Sequence, residues 1–79
     1  MGLTKCEEER IDYFVELARK KGYREETIEV GIMLAFVKEV VAKYGSEEKS
    51  FEEVIKICEQ CDDGSKFVGL VYEHFGLGK

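Results

Sequence analysis

Ile28-Glu29-Val30-Gly31-Ile32-Met33-Leu34-Ala35-Phe36-Val37-Lys38-Glu39-Val40-Val41-Ala42-Lys43-Tyr44 is the stretch on which the fold turns. Wound as a helix, its middle is apolar around nearly the whole circumference. Toward the end the apolar positions narrow to Val37, Val40, Val41 and Tyr44. A helix of that kind is surrounded by others. The many β-branched residues make a buried strand the competing reading. The run is several times longer than a usual strand of about 5–6 residues, and no second segment offers a partner. Glu25 and Glu26 suit a helix start, and Lys43-Tyr44-Gly45 a helix end. A helix over 25–44 is therefore predicted. Gly31 inside it either permits close packing or marks a break.

Moving toward the N-terminus, Ile11, Phe14, Val15 and Ala18, with Tyr13 and Leu17, form an apolar stripe at helical spacing. Thr4-Lys5-Cys6-Glu7 reads as a capping box ahead of it. Lys20 and Lys21 suit the negative end of that helix, and Gly22 supplies a left-handed terminal residue. This gives a first helix over 5–21. Moving the other way, Ser50-Phe51-Glu52-Glu53 reads as a second capping box, and Phe51, Val54, Ile55, Cys58 and Cys61 continue the stripe, giving a helix over 50–61. Asp62-Asp63-Gly64-Ser65 is a turn in which Asp63 or Ser65 can cap the next helix. Phe67, Val68, Val71, Tyr72 and Phe75 place that helix over 66–75, closed by Gly76. The expectation is an all-α, compact four-helix single domain spanning residues 1–79. Its core is expected to include Phe14, Leu17, Ala18, Leu34, Val37, Val41, Phe51, Val54, Ile55, Cys58, Val71 and Phe75.

Composition narrows the function classes. The chain has 79 residues, 44% of them hydrophobic, and a formal net charge of −5. A chain of this mass buries about 63% of its unfolded surface, enough for one thin core. The longest apolar run, Val30 to Val37, is far short of the ~20 residues that span a bilayer. An odd number of cysteines, three, cannot all pair within the chain, and Met1 to Glu7 turns acidic without an apolar signal core. Both point to a reducing, intracellular setting. Residues 46–64, with seven carboxylates against Lys49 and Lys56, carry as much net charge as the whole chain. Acidity of this kind argues against nucleic acid as the partner.

Candidate chemistry is sparse. Cys58 and Cys61 have the spacing of a zinc half-site, which Cys6 and His74 could complete. Both cysteines, however, lie inside a predicted helix on its apolar stripe, so core packing is the stronger reading. His74 is the only histidine, no glycine-rich phosphate loop is present, and the carboxylates fall at helix starts, turns and polar faces. No enzyme activity and no cofactor are expected.

The order of pieces across residues 10–60 is Lys21-Gly22-Tyr23 closing one helix, acidic residues opening the next, Lys43-Tyr44-Gly45, then Phe51-Glu52-Glu53-Val54-Ile55. This order resembles the ubiquitin-associated (UBA) and CUE type of three-helix domain, and looks closest to the UBA-like domain of the Regnase-type NYN ribonucleases and their relatives. The resemblance covers about two thirds of the chain. Here the segment from Tyr23 to Gly45 is longer than a UBA second helix, and the helix at 66–75 has no counterpart in the minimal domain. The resemblance implies a three-helix core with an added C-terminal helix. It also implies a non-catalytic module binding ubiquitin, a ubiquitin-like protein or a partner helix through Gly22, Tyr23 and Arg24, with Ile57 and Gln60 beside them. In that reading part of the Tyr23 ring faces the partner, whereas a Tyr23 stapling the first helix to the core would be buried. The alternative function is self-association, in which a second copy covers the surplus apolar residues of 28–44 and 67–75. A designed miniprotein is a third reading, against which three cysteines and Gly31 and Gly69 inside helices speak.

Overall fold

Gly22 and Gly76 have φ of 82° and 72°, and each ends a helix in the way the sequence suggests. The Gly22 amide donates to Arg19 O and the Tyr23 amide to Ala18 O. The Gly76 and Leu77 amides donate in the same way to Glu73 O and Tyr72 O. These are Schellman pairs, which satisfy the last carbonyls of each helix. The computed structural model describes residues 5–77, with Cys6 described by its backbone alone. The Thr4 half of the first capping box lies outside the described residues. Five helices follow one another: α1 (Lys5–Lys20), α2 (Glu25–Ala35), α3 (Lys38–Tyr44), α4 (Glu47–Gln60) and α5 (Gly64–Phe75). Among the described residues there is no strand, and no helix is long and apolar enough to cross a membrane.

The single helix expected over 25–44 is two helices. At its end α2 tightens into shorter-range bonds, Phe36 N to Met33 O (3.1 Å) and Val37 N to Leu34 O (3.3 Å). Val37 is extended (φ −61°, ψ 132°) and α3 starts after it without a side-chain cap. The physical reason is non-local. A straight helix of that length would run about 30 Å, the full 31 Å extent of the molecule, and could not cover its all-round apolar surface. The bend lets Phe36 pack on Phe51 (5.9 Å between ring centroids) and Tyr44 on Phe75 (5.6 Å). It also rotates Val40, rather than Val41, into the core. Gly31 is not the break. A Cβ there would lie 2.9 Å from Phe14 Cζ and from Phe67 Cε2, so this glycine permits close approach.

The second capping box is also corrected. Helix α4 begins at Glu47, and its cap is Ser46, whose hydroxyl accepts from the Lys49 amide at 3.1 Å. Ser50 lies one turn inside α4 and is fully buried, its hydroxyl reaching Ala35 O (2.5 Å) and Glu47 O (2.9 Å). Ala35 O is one of the carbonyls that the end of α2 leaves unpaired, so Ser50 serves the break rather than its own helix. Of the two candidates for the last cap, Asp63 is the one used, accepting from the Ser65 amide at 3.0 Å.

Helix α4 packs against α1, α2, α3 and α5, and α2 packs across α5. Phe14 sits at the centre, edge-on to Phe51 at 5.6 Å and stacked on Phe67 at 5.7 Å. Phe14, Ala18, Leu34, Phe51, Val54, Cys58, Val71 and Phe75 are buried as expected. Leu17, Val37, Val41 and Ile55 are only half-buried. Tyr23, Ile28, Ala35, Val40, Cys61 and Phe67 join the core instead.

Candidate interaction groove

The turn between α1 and α2 folds onto the C-terminal end of α4. The Lys21 ammonium, its side chain 15% exposed, donates to Cys58 O (2.7 Å) and Glu59 O (2.9 Å) and pairs with Asp62 (2.9 Å). A cation on terminal carbonyls answers the negative helix end. The helix it serves is α4, not its own. Tyr23 follows it inward: its hydroxyl donates to the Cys61 carbonyl and its ring lies 5.1 Å from that of Phe67. Its ring packs so closely on Gly64 that a Cβ there would stand 3.3 Å away. Only 5% of Tyr23 is exposed, and burial above all, with nearby Cys58 and Cys61, holds its hydroxyl well above the ordinary tyrosine range.

The expected presentation of the Tyr23 ring to a partner is therefore corrected: Tyr23 is the staple that ties the first helix to the core. Gly22 and Arg24 on either side are exposed, and Arg24 reaches Glu26 at 3.5 Å.

Ile57 and Gln60 lie elsewhere on α4, on the side facing α5. With Cys61 and with Leu70, Glu73 and His74 of α5 they line a groove of about 340 Å³. None of residues 22–24 lines it, so the structure divides the five sequence-selected positions between a turn and a groove. Leu70 is 44% exposed, a large apolar side chain left open beside half-buried Ile57. Near His74, Nε2 meets Glu53 Oε1 at 3.0 Å, and its ring lies parallel to that of Tyr44 at 6.4 Å. Lys56 holds the other Glu53 oxygen at 3.2 Å. Burial pushes the Glu53 carboxyl up, but the hydrogen bonds from His74 and Lys56 outweigh it and leave it below its ordinary value.

The acidic stretch is largely tied down. Arg10 holds Glu52 at 2.5 Å, the Tyr13 hydroxyl donates to Glu59 at 2.9 Å, and Asp62 and Asp63 serve Lys21 and the α5 cap. By contrast, the Glu73 carboxylate has no ion pair or hydrogen bond to a described residue, its backbone carbonyl alone accepting from Gly76.

The three described residues of the zinc hypothesis, Cys58, Cys61 and His74, form no metal-binding group. Cys58 points into the core, where burial pushes its thiol up against the opposing pull of the Tyr23 hydroxyl and Lys21. The Cys61 thiol donates to Asp63 O at 3.2 Å, and His74 is engaged with Glu53 across the groove. Among the described residues no group of three or more His, Cys, Asp or Glu is placed to hold a metal ion. The side chain of Cys6 lies outside them.

Sequence reasoning missed Leu70, Glu73 and the reach of Lys21. The i, i+3, i+4 spacing of Leu70, Glu73 and His74 was a legible signal for one helix face. Neither family models, nor curated proteins, nor solved structures give a match to this chain.

Proposed function

We propose that the chain is a non-catalytic protein-interaction module, with ubiquitin, a ubiquitin-like protein or a partner helix as its ligand, and that the α4–α5 groove is its docking face. The observation that carries this reading is the open groove in which exposed Leu70 stands beside Ile57, rimmed by Gln60, Glu73 and His74. An apolar floor with a polar rim is the usual anatomy of a recognition site. The UBA-like core suggested by residues 10–60 supports the choice of ubiquitin as the first ligand to try. The odd cysteine count favours a reducing, intracellular setting for the module.

Self-association is the second reading. Of the apolar residues of 28–44 and 67–75, Ile28, Leu34, Ala35, Val40, Phe67, Val71 and Phe75 are buried within one chain, while Met33, Leu70 and Tyr72 stay exposed and are what a second copy would cover.

The test is a titration of isotope-labelled protein with ubiquitin. Saturable amide shifts should cluster on Ile57, Gln60, Leu70 and Glu73, and the buried Tyr23 should move little. Shifts centred on Gly22 and Arg24 would move the docking face to the turn. Absence of any groove shift would remove ubiquitin as the ligand.

A further inference from the structure

The groove has the form of a seat for a third helix. Along α4 and its terminal residue the wall is Ile57, Gln60 and Cys61, and along α5 it is Leu70, Glu73 and His74, spaced i, i+3, i+4. Two helices that each offer such a stripe leave between them the kind of trough into which an amphipathic helix lays its apolar face. The apolar anchor points are Ile57 and Leu70. Leu70 is a large apolar side chain left 44% exposed by the described residues.

The sign of the charge around this seat selects the occupant. The α4 wall belongs to the segment that carries the chain's whole acidic excess. Most of those carboxylates are engaged, and their partners are Arg10, Lys21, Lys56, His74, Tyr13 and the α5 cap. Glu73 differs: it stands on the groove itself, and its carboxylate has no cation or donor among the described residues. Of the three lysines on the two helices, Lys49 lies in the first turn of α4, Lys56 is held on Glu53 at 3.2 Å, and Lys66 stands one turn before Leu70. Glu73 thus marks the end of the groove at which an incoming cation fits. A second copy of this chain, itself at −5, would bring like charge to that place.

Resting on the reading of the groove as the docking face, we infer that its occupant is a basic amphipathic helix of a partner protein. Leucine-type anchors sit on Ile57 and Leu70, and a Lys or Arg one turn along sits on Glu73. The carboxylate supplies orientation and association rate, and the apolar anchors hold the complex.

Two fluorescein-labelled probe peptides of about 16 residues, long enough to form helix on binding, test this. Both carry leucines at i, i+4 and i+7 in an alanine background. One is flanked by lysines and the other by glutamates at the same positions. Anisotropy at about 50 mM salt should show the lysine peptide binding at least ~10-fold more tightly, with the preference shrinking as salt rises. Leu70→Ser and Glu73→Lys should each weaken the lysine peptide by about 10-fold. Glu29→Lys, an exposed change on α2 away from the groove, should alter binding less than ~2-fold. Circular dichroism on the three variants shows that each remains folded.

Equal binding of the two peptides overturns the inference, as does an effect of Glu29→Lys matching that of Glu73→Lys. A dimer in sedimentation that Leu70→Ser dissolves would make a second copy the occupant and also overturn it. If neither peptide binds while ubiquitin shifts the groove amides, the helix inference fails and the docking face stands. If nothing shifts those amides, both fall.

Discussion

Alanine at Gly31 and alanine at Gly69 should change stability in opposite directions, although both glycines lie inside helices. Relieving glycine's backbone entropy in a helix interior is worth about 1 kcal/mol in either place. At Gly69 no atom beyond the adjoining backbone of its own helix lies within 4 Å of the position a Cβ would take, so that gain should be realised almost in full. At Gly31 the new methyl would stand 2.9 Å from Phe14 Cζ and 2.9 Å from Phe67 Cε2, where carbon contacts prefer about 3.5–4.0 Å. Both rings are fully buried, and Phe14 is held between Phe51 and Phe67, so neither can swing clear without moving the core.

Overpacking of this kind costs about 1–3 kcal/mol, which leaves Gly31→Ala a net loss of about 1 kcal/mol. In a domain of this size 1 kcal/mol moves the melting temperature by about 4–8 °C. Thermal and urea unfolding followed by circular dichroism should therefore place Gly69→Ala above the parent and Gly31→Ala below it. A Gly31→Ala protein as stable as Gly69→Ala would refute the close approach of α2 to Phe14 and Phe67.

Two further outcomes follow from the buried polar groups. Ser50→Ala should cost about 1–3 kcal/mol, because it strands the Ala35 carbonyl where α2 ends. A neutral result in urea unfolding would mean that the break does not depend on that hydroxyl. Cys58 and Tyr23 both have folded-state pKa values raised above those of the unfolded chain. The stability they contribute is present in full below about pH 8.5 and is lost as the unfolded thiol and then the phenol ionise, near about pH 10. The urea midpoint should fall on the alkaline side, and Tyr23→Phe should flatten the part of the fall above about pH 10. A midpoint unchanged from neutral to strongly alkaline pH would contradict the burial of both groups.

What could be read along the chain was whatever is settled within about one helical turn. Gly22, Gly45 and Gly76 end helices because a left-handed residue is needed there and no side chain resists it. Asp63 opens α5 because its carboxylate reaches an amide two residues on. The stripes through Phe14 and Ala18, Phe51 and Val54, and Val71 and Phe75 follow from helical periodicity alone. All of this is all-α architecture, and it was legible.

Tertiary structure decided what local rules leave balanced. Residues 25–44 satisfy every local condition for one helix. They break at Phe36 and Val37 because bending buries Val40 and packs half-buried Phe36 and Tyr44 on Phe51 and Phe75, and because Ser50, fifteen residues from Ala35, is there to take up a released carbonyl. Ser46 and Ser50 are both plausible caps, and only the fold assigned one to the helix start and the other to the core. Lys21 and Tyr23 had apparent roles at their own helix end. Their partners, the carbonyls of Cys58, Glu59 and Cys61, lie 37 or more residues away and exist as partners only once α4 is docked. The groove is of the same kind. Ile57 and Leu70 each belong to a readable stripe, but the space between them is made by the angle at which α5 folds back on α4, which burial of both helices against α1 and α2 sets rather than the short turn between them.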